Sequence, residues 1–531
     1  MRIAVLDLET DPFEYGKMVY PFVAGFYDGE TFISWWHEDC VEKSVAYLTD
    51  RKDPLCIYAH NGGRFDFFYY LPYIHDSLRI VNGRIIQAKL GKHEVRDSYA
   101  IMPFALEQYK KTPIDYAHFK RKVRDKHRDE IVSYLRDDCV DLHTLCVAFR
   151  QEFGDKLTIG SASMQQLKKF HQFKTGSQEY DGKLREKFYY GGRNQVFRSG
   201  VVHGNIHVFD VNSMYPSVMR GALHPLSTGL YRGTTIDERT AFISCKGRND
   251  GAFCCRSETG GLDFTRTFGV FHTTIHEWNA ALETGTFRPQ RIIETIGFSV
   301  RGSFNEFVDH FYNVRNRAKA EGDKIRTLFY KFVLNSAYGK FGQNPLNYCD
   351  WFITHQDELP HEWHECVKSC DAECREKWTP SYMCNEYIIW SRPLKALHFF
   401  NIATGSSITG AARAELLKGL SHATNPLYCD TDSIICESLD MPCSDTDLGS
   451  WKLEASGSMA AIAGKKLYAI FDADGACIKK AHKGARLDGQ EILRIARGES
   501  IESFNPVPHF KFDGSHTFTR RNITATEMVL H

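Results

Sequence analysis

The sequence predicts a multidomain protein of mixed α/β and α+β class, and three observations predict it. The chain has 531 residues, too many for one core, and divides into about two to four domains. Short apolar, β-branched runs that end in acids, such as Ile3 to Leu8 and Val208 to Phe209, alternate with stretches of helical spacing such as 130–145. The run Leu427-Tyr428-Cys429-Asp430-Thr431-Asp432-Ser433-Ile434-Ile435 reads as a hairpin with two carboxylates at its tip.

Hydrophobic content of 43% and charged content of 25% are those of an ordinary globular protein. A formal net charge of zero does not advertise a nucleic-acid partner, nor does it exclude one, because a basic groove can be balanced by acidic sites. There are 16 cysteines, but the start Met1-Arg2-Ile3-Ala4-Val5-Leu6-Asp7 has no apolar signal region. No run of about 18 apolar residues occurs. A disulfide scaffold and a helical membrane protein are disfavoured; a soluble, cytoplasmic protein with reduced thiols is expected. The sequence has no internal repeat or low-complexity tract.

The first run, Ile3 to Leu8, delivers Asp7 and Glu9 to one face by strand period, and Thr10-Asp11-Pro12 breaks it. A second, Ile57-Tyr58-Ala59-His60-Asn61-Gly62-Gly63-Arg64-Phe65-Asp66, opens into a Gly-Gly loop and a third carboxylate. From Glu130 to Leu145 helical spacing puts Tyr134 and Asp138 on one face at i and i+4. Each alone reads equally well as solvated surface; together they give four carboxylates and a tyrosine in a fixed order.

That order resembles the proofreading 3′–5′ exonuclease domain of family B DNA polymerases. The resemblance implies a ribonuclease-H-like α/β domain over 1–185. Two Mg²⁺ or Mn²⁺ ions on Asp7, Glu9, Asp66 and Asp138 would activate a water and stabilise the departing 3′ oxygen. Tyr134 would orient that water, and Asn61 and Phe65 would hold the frayed primer end. Asp97-Ser98-Tyr99 resembles the family's additional single-strand motif, with Tyr99 where leucine is usual, and adds Ser98 as a DNA contact. Lys110 or Lys111 would supply a lysine near the scissile phosphate; the sequence does not choose between them.

From about 150 to 185 the chain turns polar and basic and reads as a linker. Next comes Phe188-Tyr189-Tyr190-Gly191-Gly192-Arg193, where a Gly-Gly pair allows close backbone approach. It resembles the Tyr-x-Gly-Gly motif between exonuclease and polymerase domains, which implies template contacts for Tyr189, Gly191, Gly192 and Arg193. Val208-Phe209-Asp210-Val211-Asn212-Ser213-Met214-Tyr215-Pro216-Ser217, a strand ending in an acid and a turn opening a helix, resembles motif A. Asp210 would then partner Asp432, the helix start would receive phosphates, and Tyr215 would lie under the sugar and exclude a 2′-hydroxyl.

Lys331-Phe332-Val333-Leu334-Asn335-Ser336-Ala337-Tyr338-Gly339-Lys340 places Lys331, Asn335 and Tyr338 on one helix face, with Gly339 at its C-terminal end. It resembles the fingers motif, implying that Lys331 grips the triphosphate while Asn335 and Tyr338 pack the nucleotide. Arg315 and Lys319, again i and i+4, become further phosphate ligands by the same resemblance; a solvated helix face is the alternative. In this setting Asp430-Thr431-Asp432 resembles motif C. Asp210 and Asp432 would bind both metals, two ions per active site, and Asp430 would be the weaker carboxylate. Lys466 and Tyr468 in Lys465-Lys466-Leu467-Tyr468 resemble the Lys-x-Tyr pair that holds the primer. Lys479-Lys480-Ala481-His482-Lys483-Gly484 and Arg520-Arg521 suit phosphate contacts in a thumb or ordinary surface.

The implied architecture is a right hand behind the exonuclease domain. The palm would start over 186–224 and resume over 393–450 as an antiparallel sheet backed by helices. The fingers would cover 301–344 and the thumb 451–531. Long intervals at 225–300 and 345–392 resemble the insertions of protein-primed polymerases of small linear viral and plasmid genomes. In that branch the first docks a terminal protein whose hydroxyl starts the chain, and the second supports processivity and strand displacement. The implied partners are primer-template DNA, dNTPs and a terminal protein, with no membrane segment. His361, His364, Cys366, Cys370 and Cys374 cluster in the second interval. Their cysteine spacing is wider than Cys-x-x-Cys, so zinc is not expected. Two other readings stand beside the main one: a family B polymerase that uses an ordinary primer or none, and a nuclease or nucleic-acid-binding scaffold with an inactive polymerase site.

Overall fold

The computed structural model describes residues 1–11, 19–74, 77–110, 112–174, 178–227, 229–258, 260–344, 347–357, 378–384, 387–394, 400–482, 484–510 and 516–525. Lys111, Lys483 and the cluster His361, His364, Cys366, Cys370 and Cys374 lie outside the described residues. Among the described residues no helix is long and apolar enough to cross a membrane, and the cysteines are free thiols.

The chain begins with β1 (Arg2–Thr10), β2 (Pro21–Tyr27), β3 (Phe32–Trp36), α1 (Cys40–Asp50), β4 (Leu55–Ala59) and α2 (Asp66–Tyr70). With β5 (Arg79–Val81), β6 (Arg84–Leu90) and β7 (His93–Asp97) they give a seven-stranded mixed sheet ordered β3-β2-β1-β4-β7-β6-β5. α3 (Arg128–Phe153) buries Ile131, Leu135, Cys139, Leu142, Cys146 and Phe149, the three- and four-residue spacing of an apolar stripe. The helix sits so close that a Cβ on Gly25 of β2 would lie 2.7 Å from Leu135 Cγ.

The 150–185 stretch is not a linker. α3 runs through Phe153, and α4 (Ile159–Phe170) buries Ala162, Met164 and Leu167. A stripe of few apolar residues is enough to dock a helix, and averaging composition over the window conceals it.

After α5 (Gln178–Phe188) come β8 (Asn194–Val196), β9 (Gly200–Val211) and α6 (Met214–Gly221). The first long interval folds as β10 (Leu230–Gly233), β11 (Thr240–Asn249), β12 (Phe268–Thr274), α7 (Ile275–Glu283) and β13 (Phe287–Phe298), a sheet ordered β10-β13-β11-β12. α8 (Asn305–Ala320) and α9 (Lys324–Phe341) pack against each other. Gly342, not Gly339, ends α9. In the second interval β14 (Cys349–His355), β15 (Thr379–Cys384) and β16 (Tyr387–Pro393) pair in the order β14-β16-β15, and Trp351 Nε1 donates to the Ile80 carbonyl at 3.1 Å, docking this sheet on the N-terminal one.

The last stretch contains α10 (Ile402–Ser421), β17 (Tyr428–Asp430), β18 (Ser433–Cys436), β19 (Trp451–Gly464), β20 (Leu467–Phe471), β21 (Cys477–His482), α11 (Gly489–Ala496), β22 (Ile501–Phe510) and β23 (His516–Ile523). A second seven-stranded sheet runs β21-β20-β19-β9-β18-β17-β8. Residues 451–482, expected in the thumb, therefore extend the sheet that carries Asp210, because β19 pairs along β9 from Trp451 opposite Val211 to Ile462 opposite Gly200. α10 backs this sheet with small residues. A Cβ on its Gly419 would lie 2.2 Å from Trp451 Cζ2, and one on Gly410 would lie 2.3 Å from Thr274 Oγ1, so both approaches need glycine. One apolar core runs without a break from Phe22 and Phe149 through Phe329 and Ala337 to Ile408 and Ile434.

Candidate active sites

Two acidic centres form, one on each large sheet. In the first, Asp7 and Glu9 leave the same face of β1, and with Asp138 of α3 they bring carboxylate oxygens within 4.8 Å of one another. Asp66 opens α2 and accepts the Leu8 amide at 3.1 Å. Burial, then the neighbouring carboxylates, hold Asp7 and Glu9 well above the usual range. Asp66 is pushed up to about 7 mainly by burial. Asp138 is also raised by burial, while the donated Tyr134 hydroxyl pulls it back. Burial and the charges of Glu9 and Asp138 raise Tyr134 itself. Lys110 Nζ lies 3.2 Å from Asp141, one turn beyond Asp138. So many hard oxygen donors with so little cationic compensation fit a divalent cation.

The loop beside this centre is held by its glycines. Gly63 passes the next strand so closely that a Cβ would lie 2.0 Å from the Ile85 carbonyl oxygen. Asn61 is exposed in the left-handed region (φ 61°), and Phe65 packs edge-on against Tyr69. Ser98 departs from expectation. It is 0% exposed, with its hydroxyl 3.0 Å from His60 Nδ1 and 3.2 Å from the Ala59 carbonyl, so it braces the loop from inside and presents nothing to a strand.

At the second centre β9 delivers Asp210 beside the β17–β18 hairpin, opposite Ser433. The Val211 amide donates to the Asp432 carbonyl at 2.8 Å, and the hairpin turns through Thr431 at φ 61°. Burial and then Asp432 push Asp210 up to about 7; burial and then Asp430 push Asp432 up to about 6. These oxygens, too, suit divalent cations. Tyr215, in the first turn of α6, stacks on Tyr338 of α9 with centroids 3.9 Å apart and planes 13° apart. Lys331 and Asn335 are exposed on α9, as is Lys319 on α8, while Arg315 Nε is buried and has no hydrogen-bond partner among the described residues.

The Tyr-Gly-Gly segment supports the hairpin more than it faces solvent. Gly192 lies against Thr431, where a Cβ would be 2.7 Å from Oγ1, and Tyr189 is half-buried with Arg185 over its ring. Gly191 is exposed, and its carbonyl accepts from Arg413 Nη1 at 2.8 Å. Arg193, expected at the template, is only 3% exposed. Its guanidinium bonds Gln195 and covers Phe264, and its carbonyl accepts the Thr431 amide at 2.6 Å. The long side chain turns inward because an aromatic face and an amide partner wait there. Lys466 is spent on Asp430, 2.9 Å away. Tyr468 is 8% exposed and packs on Tyr428; burial and then Asp430, Glu454 and Asp210 raise its hydroxyl to about 12.

Two residues at this centre, Glu454 and Arg413, escape sequence reasoning. Glu454 of β19 ion-pairs with Lys479 of β21, which the sequence gives to the thumb or the surface, and both bear on Asp210; only the pairing of β19 with β9 brings Glu454 there. Arg413 of α10 makes a buried ion pair with Glu277 at 2.7 Å and also holds the Tyr190 and Gly191 carbonyls. Elsewhere, His118, His127 and Glu130 gather near α3. The two imidazoles stack face to face at 3.6 Å, so their in-plane lone pairs do not converge on one ion.

Residues 105–447 match the family described as DNA polymerase type B, organellar and viral. The DNA-directed DNA polymerase of Enterobacteria phage PRD1 is 43% identical, over 99% of this chain and 98% of that protein. The DNA polymerase of Bacillus phage Nf is 28% identical over 47% of this chain and 49% of its own length. The orthorhombic crystal form of Phi29 DNA polymerase aligns with 99% of this chain and 100% of its own at TM-score 0.73 and 19% identity. Phi29 DNA polymerase complexed with primer-template DNA and incoming nucleotide aligns at TM-score 0.69 and 18% identity, over 99% of each chain.

Proposed function

Because this chain belongs to the organellar and viral type B DNA polymerases, we propose that it extends DNA at Asp210 and Asp432, trims 3′ ends at Asp7, Glu9, Asp66 and Asp138, and starts from the hydroxyl of a terminal protein. The observation that carries this reading is the pair of acidic centres, each gathered from separate segments and each holding buried carboxylates above their usual range.

Two divalent cations, Mg²⁺ or Mn²⁺, held by Asp210 and Asp432 would supply Lewis-acid stabilisation of the attacking and leaving oxygens of an in-line displacement. The chain's own residues do the rest. Lys331, Lys319 and Arg315 receive the triphosphate, and the buried, unpartnered Nε of Arg315 is a donor suited to an anion. Tyr215, backed by Tyr338, forms a rigid floor under the sugar that collides with a 2′-hydroxyl. Asp430, held by Lys466, orients the hairpin while Asp432 faces the reacting atoms. At the first centre Tyr134 orients the attacking water, and Asn61 and Phe65 hold the strand.

The interval 225–300 serves as the terminal-protein dock and 345–392 as the strand-displacing element. The described residues of both form sheets fixed to the body, through α7 on α10 and through Trp351 on β5. Such an enzyme works in the host cytoplasm, where its template and dNTPs are. The test is extension of a labelled primer on circular single-stranded DNA with Mg²⁺ and dNTPs and no helper protein. Products many times the circle length are expected; arrest at one circle would return the chain to the ordinary-primer branch.

A further inference from the structure

The helix that carries Lys331 on one face is fastened to the N-terminal domain on the other. Phe329 meets Phe149 edge-on with centroids 5.5 Å apart, and the Tyr330 hydroxyl donates to Glu152 at 2.7 Å. The Ser163 hydroxyl donates to the Val333 carbonyl. Phe332, the neighbour of Lys331, stacks on Phe104 with centroids 5.5 Å apart and planes 15° apart.

Phe104 is 3% exposed and sits in an irregular segment between β7 and α3. Its amide donates to the nearby Met102 carbonyl at 2.8 Å, and its carbonyl is held from a different segment by His60. Its Nε2 lies 2.9 Å from the Phe104 carbonyl, which can only accept, so Nε2 carries the proton. Nδ1 is then the acceptor, 3.0 Å from the Ser98 hydroxyl, whose one proton it shares with the Ala59 carbonyl at 3.2 Å. Burial lowers the imidazole to about 4, which keeps this one neutral tautomer at physiological pH. His60 is also the residue before Asn61, where the glycine loop begins.

We propose that His60 and Phe104 are positioning residues that couple the strand-holding loop at Asn61 to the nucleotide-gripping helix α9, through the sequence of contacts Asn61, His60, Phe104, Phe332, Lys331. The proposal rests on the reading of Asn61 as a strand contact and of Lys331 as a triphosphate ligand. Its physical content is that ordering the loop fixes the His60 ring, the ring fixes the Phe104 carbonyl, and the stacked ring fixes the azimuth of α9 beside Lys331. Neither residue touches a reacting atom.

The experiment measures dNTP KM and kcat on a primer-template, hydrolysis of a single-stranded oligonucleotide, and Tm for the full chain. The variants are Phe104→Ala, Phe332→Ala, their double mutant, His60→Ala, His60→Gln and Lys331→Ala. Losing the stack is expected to raise KM about fivefold with kcat within about twofold, and the double mutant should match either single variant. His60→Ala should raise KM about threefold and also slow single-strand hydrolysis, and His60→Gln, whose amide can reach the same carbonyl, should restore both. Multiplying KM effects in the double mutant, or equal losses of kcat, hydrolysis and Tm in every variant, would overturn the coupling. Should Phe332→Ala raise KM while Lys331→Ala leaves it unmoved, the coupling stands and the triphosphate assignment of Lys331 falls.

Discussion

The Lys466 ammonium lies 2.9 Å from the Asp430 carboxylate, so one acid of the hairpin already carries its counter-charge. Asp432, two residues on, is raised by burial and then by Asp430 and Glu454, and Lys466 offsets only part of this. Two acids with the same spacing to the turn are thus given unequal roles, and unequal losses follow. Asp432→Asn should lower primer extension on the order of a thousandfold, and Asp430→Asn by roughly 10- to 100-fold. Single-turnover extension at saturating dNTP separates them; equal losses would contradict the division.

The burial and charge crowding of these acids have a sign that stability reports. Asp210 stands near 7 and Asp432 near 6, against about 4 in the unfolded chain. Between those values the folded state holds more protons, so the contribution of these acids to stability is full below pH 4 and is lost as pH rises through 6 to 7. In EDTA, Asp210→Asn should raise Tm by roughly 2–4 °C at pH 8 and by only about a third as much at pH 5, where the unfolded acid is ionised and the folded one still protonated. A rise of equal size at both pH values would rule out charge as the cause.

The two centres should fail separately. Asp66→Asn is expected to slow single-strand hydrolysis by about 100-fold or more while primer extension stays near wild type. Tyr134→Phe, which removes the hydroxyl donated to Asp138, should cost hydrolysis about 10-fold. Gel assays with and without template read both numbers from one preparation.

Tyr215 lies flat on Tyr338 at 3.9 Å, and a ring so fixed cannot yield to an extra hydroxyl. Tyr215→Ala should lower discrimination against ribonucleotides by about 100-fold. The ratio of kcat/KM for dNTP and rNTP is the measurement, and an unchanged ratio would move the selectivity elsewhere.

Glu277 and Arg413 are both buried, and Arg413 also holds two carbonyls of the Tyr190–Gly191 turn. Glu277→Ala strands that guanidinium and should cost about 3–5 kcal/mol of stability. Urea unfolding followed by tryptophan fluorescence checks it.

Local periodicity in the sequence was enough to place the acids and the nucleotide face. Strand alternation puts Asp7 and Glu9 on one face, helical spacing puts Lys331, Asn335 and Tyr338 on another, and a turn flanked by apolar runs presents Asp430 and Asp432. Each depends on residues a few positions apart, where backbone geometry alone fixes direction. Which side chains face inward depended on packing between distant segments. Ser98 and Arg193 read as strand contacts from their motifs, yet they are buried because His60 and Phe264 receive them. Lys466, in the turn between β19 and β20, is drawn to Asp430 of β17, Glu454 reaches Asp210 only through the pairing of β19 with β9, and residues 451–482 join the sheet for the same reason. The polar stretch after 150 folds as α3 and α4 because a few apolar residues meet α9. Partners far apart in sequence leave no periodic trace in either segment, so pairing and burial between them are settled only when the whole chain packs.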